Sequence, residues 1–146
     1  MNIPPFLVTL MLLSGNHAGT QMKEMDVEKI KGLASFYSKR FEGRKTAFGE
    51  IYNNKLLTAA HPSLPHNTLL EITNLSNNKK VIVRVNDRGP FGKTKRVLDL
   101  SRAAAAEIDM IRSGIQNIEY KVVGTDGKLF PDMGTSKLSD ILFPKN

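Results

Sequence analysis

The 146-residue sequence contains no cysteine. This absence excludes disulfide bonds, thiolate metal ligands and a cysteine nucleophile. It also excludes a lipid-modified N-terminal cysteine, so no lipid anchor is expected. Histidine is scarce as well, and the three residues His17, His61 and His66 argue against a three-histidine metal site inside a folded domain. The sequence therefore predicts no metal and no other cofactor.

Several functional motifs are also missing. The sequence has no glycine-rich phosphate loop, no nucleophile elbow, no zinc-ligand pattern and no internal repeat. Its formal charge of +7 and its pI of about 9.7 indicate an anionic partner or environment, such as a nucleic acid, an acidic wall polymer or a membrane surface. No basic run with interleaved aromatic residues is present, which argues against nucleic acid.

The N-terminal region predicts export. Residues 3–13 form an apolar run that is too short to cross a bilayer but suits the hydrophobic part of a signal peptide. No basic residue precedes the run, although signal peptides usually have one there. The alternative is therefore an apolar N-terminus that is not a signal peptide. We expect a signal peptide at residues 1–18, a linker at 19–31, one folded domain at 32–124 and a poorly ordered tail at 125–146. The predicted location is the periplasm or the cell envelope.

The most informative segment of the folded domain is Val81–Pro90. Its valines alternate with other residues in the period of a half-buried strand, and the strand ends in the turn-forming sequence Asn-Asp-Arg-Gly-Pro. The strand therefore places Asp87 at its end, between Arg84 and Arg88. The simpler interpretation is that Asp87 stabilises the turn and that the arginines are solvated.

The remaining patterns predict a mainly β domain. Strand patterns cover residues 34–37, 69–75, 80–85, 96–100 and 118–123, and residues 76–79 form a hairpin turn. Ser101 is a good N-cap for an alanine-rich helix at residues 102–111. Short strands with one helix favour a small barrel that closes its own edges.

A series of motifs resembles one known family. In chain order these are Ala-Ser-Phe-Tyr at 34–37, Arg-Lys-Thr-Ala-Phe-Gly-Glu at 44–50, Leu-Thr-Ala-Ala-His at 57–61, Leu-Pro at 64–65, Val-Arg-Val-Asn-Asp-Arg-Gly-Pro at 83–90 and Asp-Leu-Ser-Arg-Ala-Ala-Ala at 99–105. Together they resemble the RlpA family, the rare lipoprotein A-like septal-ring lytic transglycosylases of bacteria. The resemblance covers residues 32–124.

The resemblance implies a fold and an activity. The fold is a six-stranded double-psi β-barrel with one short helix, which expansins and family 45 glycoside hydrolases share. The activity is endolytic cleavage of the MurNAc–GlcNAc bonds of peptidoglycan strands that lack stem peptides, which forms 1,6-anhydro-MurNAc ends. The chain departs from the family pattern at Phe36, where many members have tryptophan, and at Phe48, where asparagine is common.

The same resemblance implies the site residues. The catalytic candidates are Asp87, His61 and Glu50, and the substrate-binding candidates are Arg84, Arg88, Tyr37, Asn86 and Phe36. Asp87 is the candidate general acid, because the leaving oxygen of a glycosidic bond needs a proton. This role requires Arg84 and Arg88 to point away from Asp87, since a neighbouring cation would hold the carboxyl group ionised. Glu50 would then tune Asp87 or bind sugar, and His61 would position Asp87 or accept a proton from the sugar.

Two other functions remain open at this stage. The barrel is also compatible with a non-catalytic, expansin-like module that binds peptidoglycan, because a fold does not determine a function. A basic barrel that binds nucleic acid is the second alternative, and the predicted export argues against it. We expect the domain to act as a monomer on glycan strands.

Overall fold

The structure is a computed structural model, and it describes residues 27–131. The predicted signal peptide, most of the predicted linker and the last part of the predicted tail lie outside these residues. Within the described range, no helix is both long and apolar enough to cross a membrane.

The described residues form seven strands and one α-helix. The strands are β1 (Ile30–Phe36), β2 (Thr58–Ala60), β3 (Leu69–Asn74), β4 (Lys80–Asp87), β5 (Arg96–Leu100), β6 (Gln116–Thr125) and β7 (Lys128–Leu129), and the helix is α1 (Arg102–Glu107). A single 3₁₀ turn at Lys39–Phe41 follows β1.

The strands form one closed sheet. Their order is β1-β5-β2-β4-β3-β6-β7, and an additional antiparallel pairing of β1 with β6 closes a barrel of six strands. The pairs β1–β5 and β2–β4 are parallel, and β7 continues β6 as a short hairpin. The predicted mainly β, six-stranded barrel with one short helix is confirmed.

Some boundaries differ from the predictions. Strand β1 begins at Ile30, inside the segment assigned to the linker, because Ile30 pairs with Tyr120 across the barrel closure. Helix α1 ends at Glu107 instead of Ile111, since Asp109 has a positive φ of 54° that cannot continue a helix. The predicted tail is ordered at its start: Gly127 has a φ of 71°, and the turn that it forms with Asp126 joins β6 to β7.

The interior explains why the strand pattern is so clear. The valines of β4 at positions 81, 83 and 85 all face the core, where they pack with Leu70, Ile72, Leu98 and Leu100. Ala104 and Ala105 of α1 are fully buried in the same cluster. The short alanine side chains let α1 lie close to the barrel wall, as their position in the sequence predicts.

The pairing of β2 brings three loops together. Ala60 at the end of β2 pairs with Asp87 at the end of β4 on one side and with Asp99 of β5 on the other. The end of β1 lies beside the end of β5, where Phe36 pairs with Leu100. The segments that follow β1, β2 and β4 therefore meet at one end of the barrel.

Ser101 provides a test of this packing. Its buried hydroxyl oxygen accepts hydrogen bonds from the N–H of Ala104 at 3.3 Å, as an N-cap, and from the N–H of Thr58 in β2 at 3.2 Å. We expect Ser101→Ala to lower the free energy of unfolding by about 1–3 kcal/mol, because a buried N–H loses its partner. Denaturant unfolding measures this change, with the exposed Ser76→Ala as the matched control. Equal stability of the two variants would contradict the packing.

Candidate active site

The carboxylate of Asp87 lies at the end of β4 and is held by three donors. The hydroxyl of Tyr37 donates to Oδ2 at 2.6 Å, and the main-chain N–H groups of Ala47 and Arg88 each donate to Oδ1 at 2.8 Å. Since a carboxylate has about four lone-pair positions, one of them stays available to a ligand. Asp87 is partly exposed, so a ligand can reach that position.

The donors come from three separate segments. Tyr37 directly follows β1, and its own N–H donates a hydrogen bond to the carbonyl of Leu100 at 3.0 Å. Ala47 lies in a tight turn that the N–H of Gly49 closes on the carbonyl of Thr46 at 3.0 Å. Gly49 has a φ of 86°, a backbone conformation that favours glycine, so this turn depends on that residue. Fixing Asp87 therefore needs the whole end of the barrel.

The Tyr37 ring packs against other aromatic rings instead of presenting an open face for stacking on a sugar. Its ring packs against Tyr52 at a centroid distance of 4.4 Å and against Phe41 at 5.5 Å. Burial raises the pKa of the Tyr37 hydroxyl above its ordinary value, and the hydrogen bond to Asp87 and the charge of that carboxylate raise it further. The hydroxyl therefore remains protonated and serves as a donor to Asp87.

Glu50 and Arg84 form an ion pair with each other. The two terminal nitrogens of Arg84, Nη1 and Nη2, both donate to Glu50, with Nη2 at 2.7 Å from Oε1, and Nη1 also donates to Asn67 Oδ1 at 2.9 Å. His66 Nε2 contacts the same carboxylate. Burial alone would raise the pKa of Glu50, but the hydrogen bonds from Arg84 and His66 outweigh it and lower the pKa to about 2. Glu50 is therefore ionised at neutral pH.

Arg88 also points away from the Asp87 carboxylate. Its guanidinium group donates to the carbonyls of Leu64 and His61 and lies 4.7 Å from the centre of the Phe48 ring. Phe48 stacks in turn on His66, with centroids 4.7 Å apart and planes 10° apart. Both flanking arginines therefore have partners other than the Asp87 side chain, which is the arrangement that the general-acid hypothesis requires.

His61 is buried below the site. Its Nδ1 accepts hydrogen bonds from the N–H groups of Ser63 at 3.0 Å and Leu64 at 2.9 Å, so the ring proton is on Nε2 and faces the Tyr120 hydroxyl at 2.9 Å. Burial lowers the pKa of His61 to about 4, and the charge of Arg88 adds to this shift. Its link to Asp87 runs through the main chain, where the N–H of His61 donates to the carbonyl of Asp87 at 3.1 Å.

The other substrate-binding candidates lie mostly inside the domain. Asn86 is only 2% exposed, and Phe36 packs against the core with the Arg102 guanidinium 5.5 Å from its ring centre. The carboxylate of Asp99 accepts hydrogen bonds from Ser35 at 2.6 Å and from Arg96 at 2.9 Å. Asn86 is therefore closed to a ligand, whereas Phe36 remains partly exposed.

Two groups at the site were not predicted from the sequence. The main-chain N–H of Ala47 carries no side-chain signal, although the Gly49 turn two residues later was visible. The Phe48–His66 stack joins residues from two loops, and no local pattern predicts such a pair.

Within residues 27–131, no group of three or more His, Asp or Glu side chains is arranged to hold a metal ion. The Asp87 carboxyl group, which three hydrogen bonds fix in place, has the chemistry to give and take a proton.

A family model matches the chain. Residues 29–120 match the model described as lytic transglycolase. This stretch takes in most of the barrel, from the segment before β1 to the middle of β6.

Curated proteins with similar sequences carry related names. The endolytic peptidoglycan transglycosylase RlpA of Pasteurella multocida is 57% identical over 95 residues, which are 65% of this chain and 32% of the relative. The protein of the same name from Campylobacter jejuni is 54% identical over 97 residues, 66% of this chain and 35% of the relative. The protein of the same name from Haemophilus influenzae is 52% identical over 110 residues, which are 75% of this chain and 36% of the relative. The chain thus spans about a third of the length of these curated relatives.

Solved structures share the fold at low sequence identity. The Streptomyces papain inhibitor has a TM-score of 0.55 at 22% identity, over 69% of this chain and 100% of the inhibitor. The apo expansin of Clavibacter michiganensis has a TM-score of 0.53 at 23% identity, over 66% of this chain and 51% of the expansin. These likenesses concern the barrel fold alone.

The burial of His61 leads to a pH prediction. We expect its ring signals in an NMR titration to shift with a midpoint near pH 4 instead of the ordinary 6.5. Because the unfolded chain binds this proton more readily, the contribution of His61 to stability is complete above pH 6.5 and declines as the pH falls towards 4. A midpoint near 6.5 in the folded protein would contradict the buried, neutral ring.

Proposed function

The chain belongs to the lytic transglycolase family, and from this premise we propose that its barrel is an endolytic peptidoglycan lytic transglycosylase. It cleaves the bond between MurNAc and GlcNAc in glycan strands that lack stem peptides, and it leaves 1,6-anhydro-MurNAc ends. The observation that carries the proposal is the Asp87 carboxylate, which three donors fix at the end of the barrel while both flanking arginines contact other groups.

Asp87 acts first as the acid. Its carboxyl proton passes to the oxygen between the two sugars, the bond from this oxygen to C1 of MurNAc breaks, and positive charge develops at C1. The C6 hydroxyl of the same MurNAc then attacks C1, forms the 1,6-anhydro bond and gives its proton to Asp87. Asp87 gives one proton and receives one, so the reaction needs no water and no second acid.

Tyr37 supports both protonation states of Asp87. The Tyr37 hydroxyl donates to the ionised carboxylate, and after a rotation of its O–H bond it accepts the proton of the neutral carboxyl group until the glycosidic oxygen takes that proton. The fixed N–H groups of Ala47 and Arg88 keep the Asp87 carboxylate in the same place during the change. Tyr37 is thus a positioning residue for Asp87.

Glu50 and His61 have supporting roles in this scheme. Glu50 is ionised and paired with Arg84, so it has no proton to give at neutral pH. Neutral His61 is enclosed by Tyr120 and the turn at residues 63–64, and it fixes the loop whose main chain binds the carbonyl of Asp87. Glu50 and His61 therefore act as positioning residues, and Asp87 makes the proton transfers.

The names of the relatives support the substrate class. Proteins from three organisms that are 52–57% identical to this chain over aligned stretches of 95–110 residues are named endolytic peptidoglycan transglycosylases. A protein with this substrate works in the cell envelope, in agreement with the basic charge of the chain and with the export expected from its N-terminal region.

Product analysis with matched variants tests the function. We expect the full chain to release fragments with 1,6-anhydro-MurNAc ends from purified, amidase-treated glycan strands, detected by mass spectrometry. Asp87→Asn is expected to lower the rate by at least about 100-fold, because it removes the proton donor. Tyr37→Phe is expected to lower it by about 10-fold, through the loss of one hydrogen bond to a charged group.

Asp109→Asn is the matched control. This carboxylate is 64% exposed, pairs with Lys79 and lies at the far end of β4 from Asp87, so its loss is expected to leave the rate unchanged. Reducing ends in place of anhydro ends would identify a hydrolase. Retained binding with no cleavage by the wild type would favour the expansin-like, non-catalytic module instead.

A further inference from the structure

Two exposed arginines are held on one aromatic ring next to the site. The guanidinium carbon of Arg40 lies 5.6 Å from the centre of the Phe41 ring, and that of Arg44 lies 5.3 Å from it. The 3₁₀ turn after β1 brings these residues together, since it ends at Phe41, and the N–H of Arg44 donates to the carbonyl of Phe41 at 3.0 Å. We call this group, consisting of Arg40, Phe41 and Arg44, the arginine cluster.

The charge of the arginine cluster is not compensated. Among residues 27–131, neither guanidinium group has a hydrogen bond or an ion pair, and their contacts are those with the ring. Residues 39–45 carry four cationic side chains but only one carboxylate, that of Glu42. Glu42 in turn accepts a hydrogen bond from the main chain of Asn54 at 2.6 Å. A positive potential therefore remains on this surface.

The arginine cluster is connected to Asp87 by direct contacts. Phe41 packs edge-on against Tyr37 at 5.5 Å, and the Tyr37 hydroxyl donates to Asp87 at 2.6 Å. Two aromatic residues, Phe41 and Tyr37, thus connect the cations to the proposed acid. A glycan strand whose scissile bond lies at Asp87 would extend past the arginine cluster with a neighbouring sugar.

We propose that the arginine cluster binds the free lactyl carboxylate of a muramic acid residue. This inference rests on the proposed function and specifies which strands the site accepts. Guanidinium groups form paired hydrogen bonds with a carboxylate, and contact with an aromatic ring pre-organises them for this. A stem peptide converts the lactyl carboxylate into an uncharged amide, which removes both the charge and one acceptor oxygen. The arginine cluster is therefore a determinant of selectivity for strands without stem peptides.

Other cations near Asp87 fit this role less well. Arg84 is bound to Glu50, Arg88 donates to main-chain carbonyls, and Arg96 pairs with Asp99 and Ser35. Lys93 and Lys95 are exposed on the loop after β4, but each is a single flexible ammonium group without the planar geometry of arginine. The double variant Lys93→Gln with Lys95→Gln tests whether these lysines bind the carboxylate instead.

Binding to two forms of one ligand tests the inference. Amidase-treated glycan strands are divided, and in one half the lactyl carboxylates are converted to methylamides with carbodiimide and methylamine. Binding of both preparations is measured with the full chain carrying Asp87→Asn, which prevents cleavage. We expect about tenfold tighter binding of the unmodified strands. Adding Arg40→Gln and Arg44→Gln is expected to abolish this difference, while adding Lys79→Gln and Lys80→Gln at the far end of β4 should leave it.

The outcomes separate the two proposals. Equal binding of both preparations would overturn the role of the arginine cluster and leave the transglycosylase proposal standing. A difference that Lys93→Gln with Lys95→Gln abolishes, but the arginine variant does not, would also overturn it and assign the carboxylate to the other loop. Failure to bind either preparation, together with no cleavage by the wild type, would overturn both proposals.

Discussion

The candidate site depends most on the hydrogen bonds that fix the Asp87 carboxylate. Its donors are the side chain of Tyr37 and the main chain of Ala47 and Arg88, which come from three different segments of the barrel. Parallel pairing of β1 with β5 and of β2 with β4 brings the ends of these strands to one place. A carboxylate held by rigid main-chain donors needs little reorganisation when its charge changes, which is the property that proton transfer requires.

The distribution of charges around Asp87 follows from the same packing. Two arginines flank Asp87 in sequence, yet Arg84 binds Glu50 and Arg88 binds carbonyl groups, so neither neutralises the Asp87 side chain. Among residues 27–131, Arg40 and Arg44 have no ionic partner, and they lie beyond Tyr37. The site thus separates the group proposed to transfer protons from the groups proposed to bind an anionic sugar.

Local sequence signals predicted the parts of the fold that depend on neighbours along the chain. The alternating valines of β4, the asparagine turn before it and the Ser101 cap are all present, and the motif series identified the family. The contacts that define the site join distant residues: Tyr37 lies 50 positions from Asp87, and His61 lies 59 positions from Tyr120. Such pairs depend on strand order, which single-residue patterns do not contain. The early end of α1 was not predicted either. The alanines favour a helix, but the positive φ of Asp109 ends it, and no residue pattern predicted that backbone angle.

In the proposed mechanism, Asp87 contacts the glycosidic bond that breaks. The most direct measurement is a crystal structure of the full chain with Asp87→Asn bound to a peptide-free oligosaccharide of alternating GlcNAc and MurNAc. We expect the oxygen between MurNAc and the following GlcNAc to lie about 3 Å from the side chain at position 87, within hydrogen-bond distance. An oligosaccharide bound to another face of the barrel, with that oxygen out of reach of position 87, would contradict the role of Asp87 as the acid.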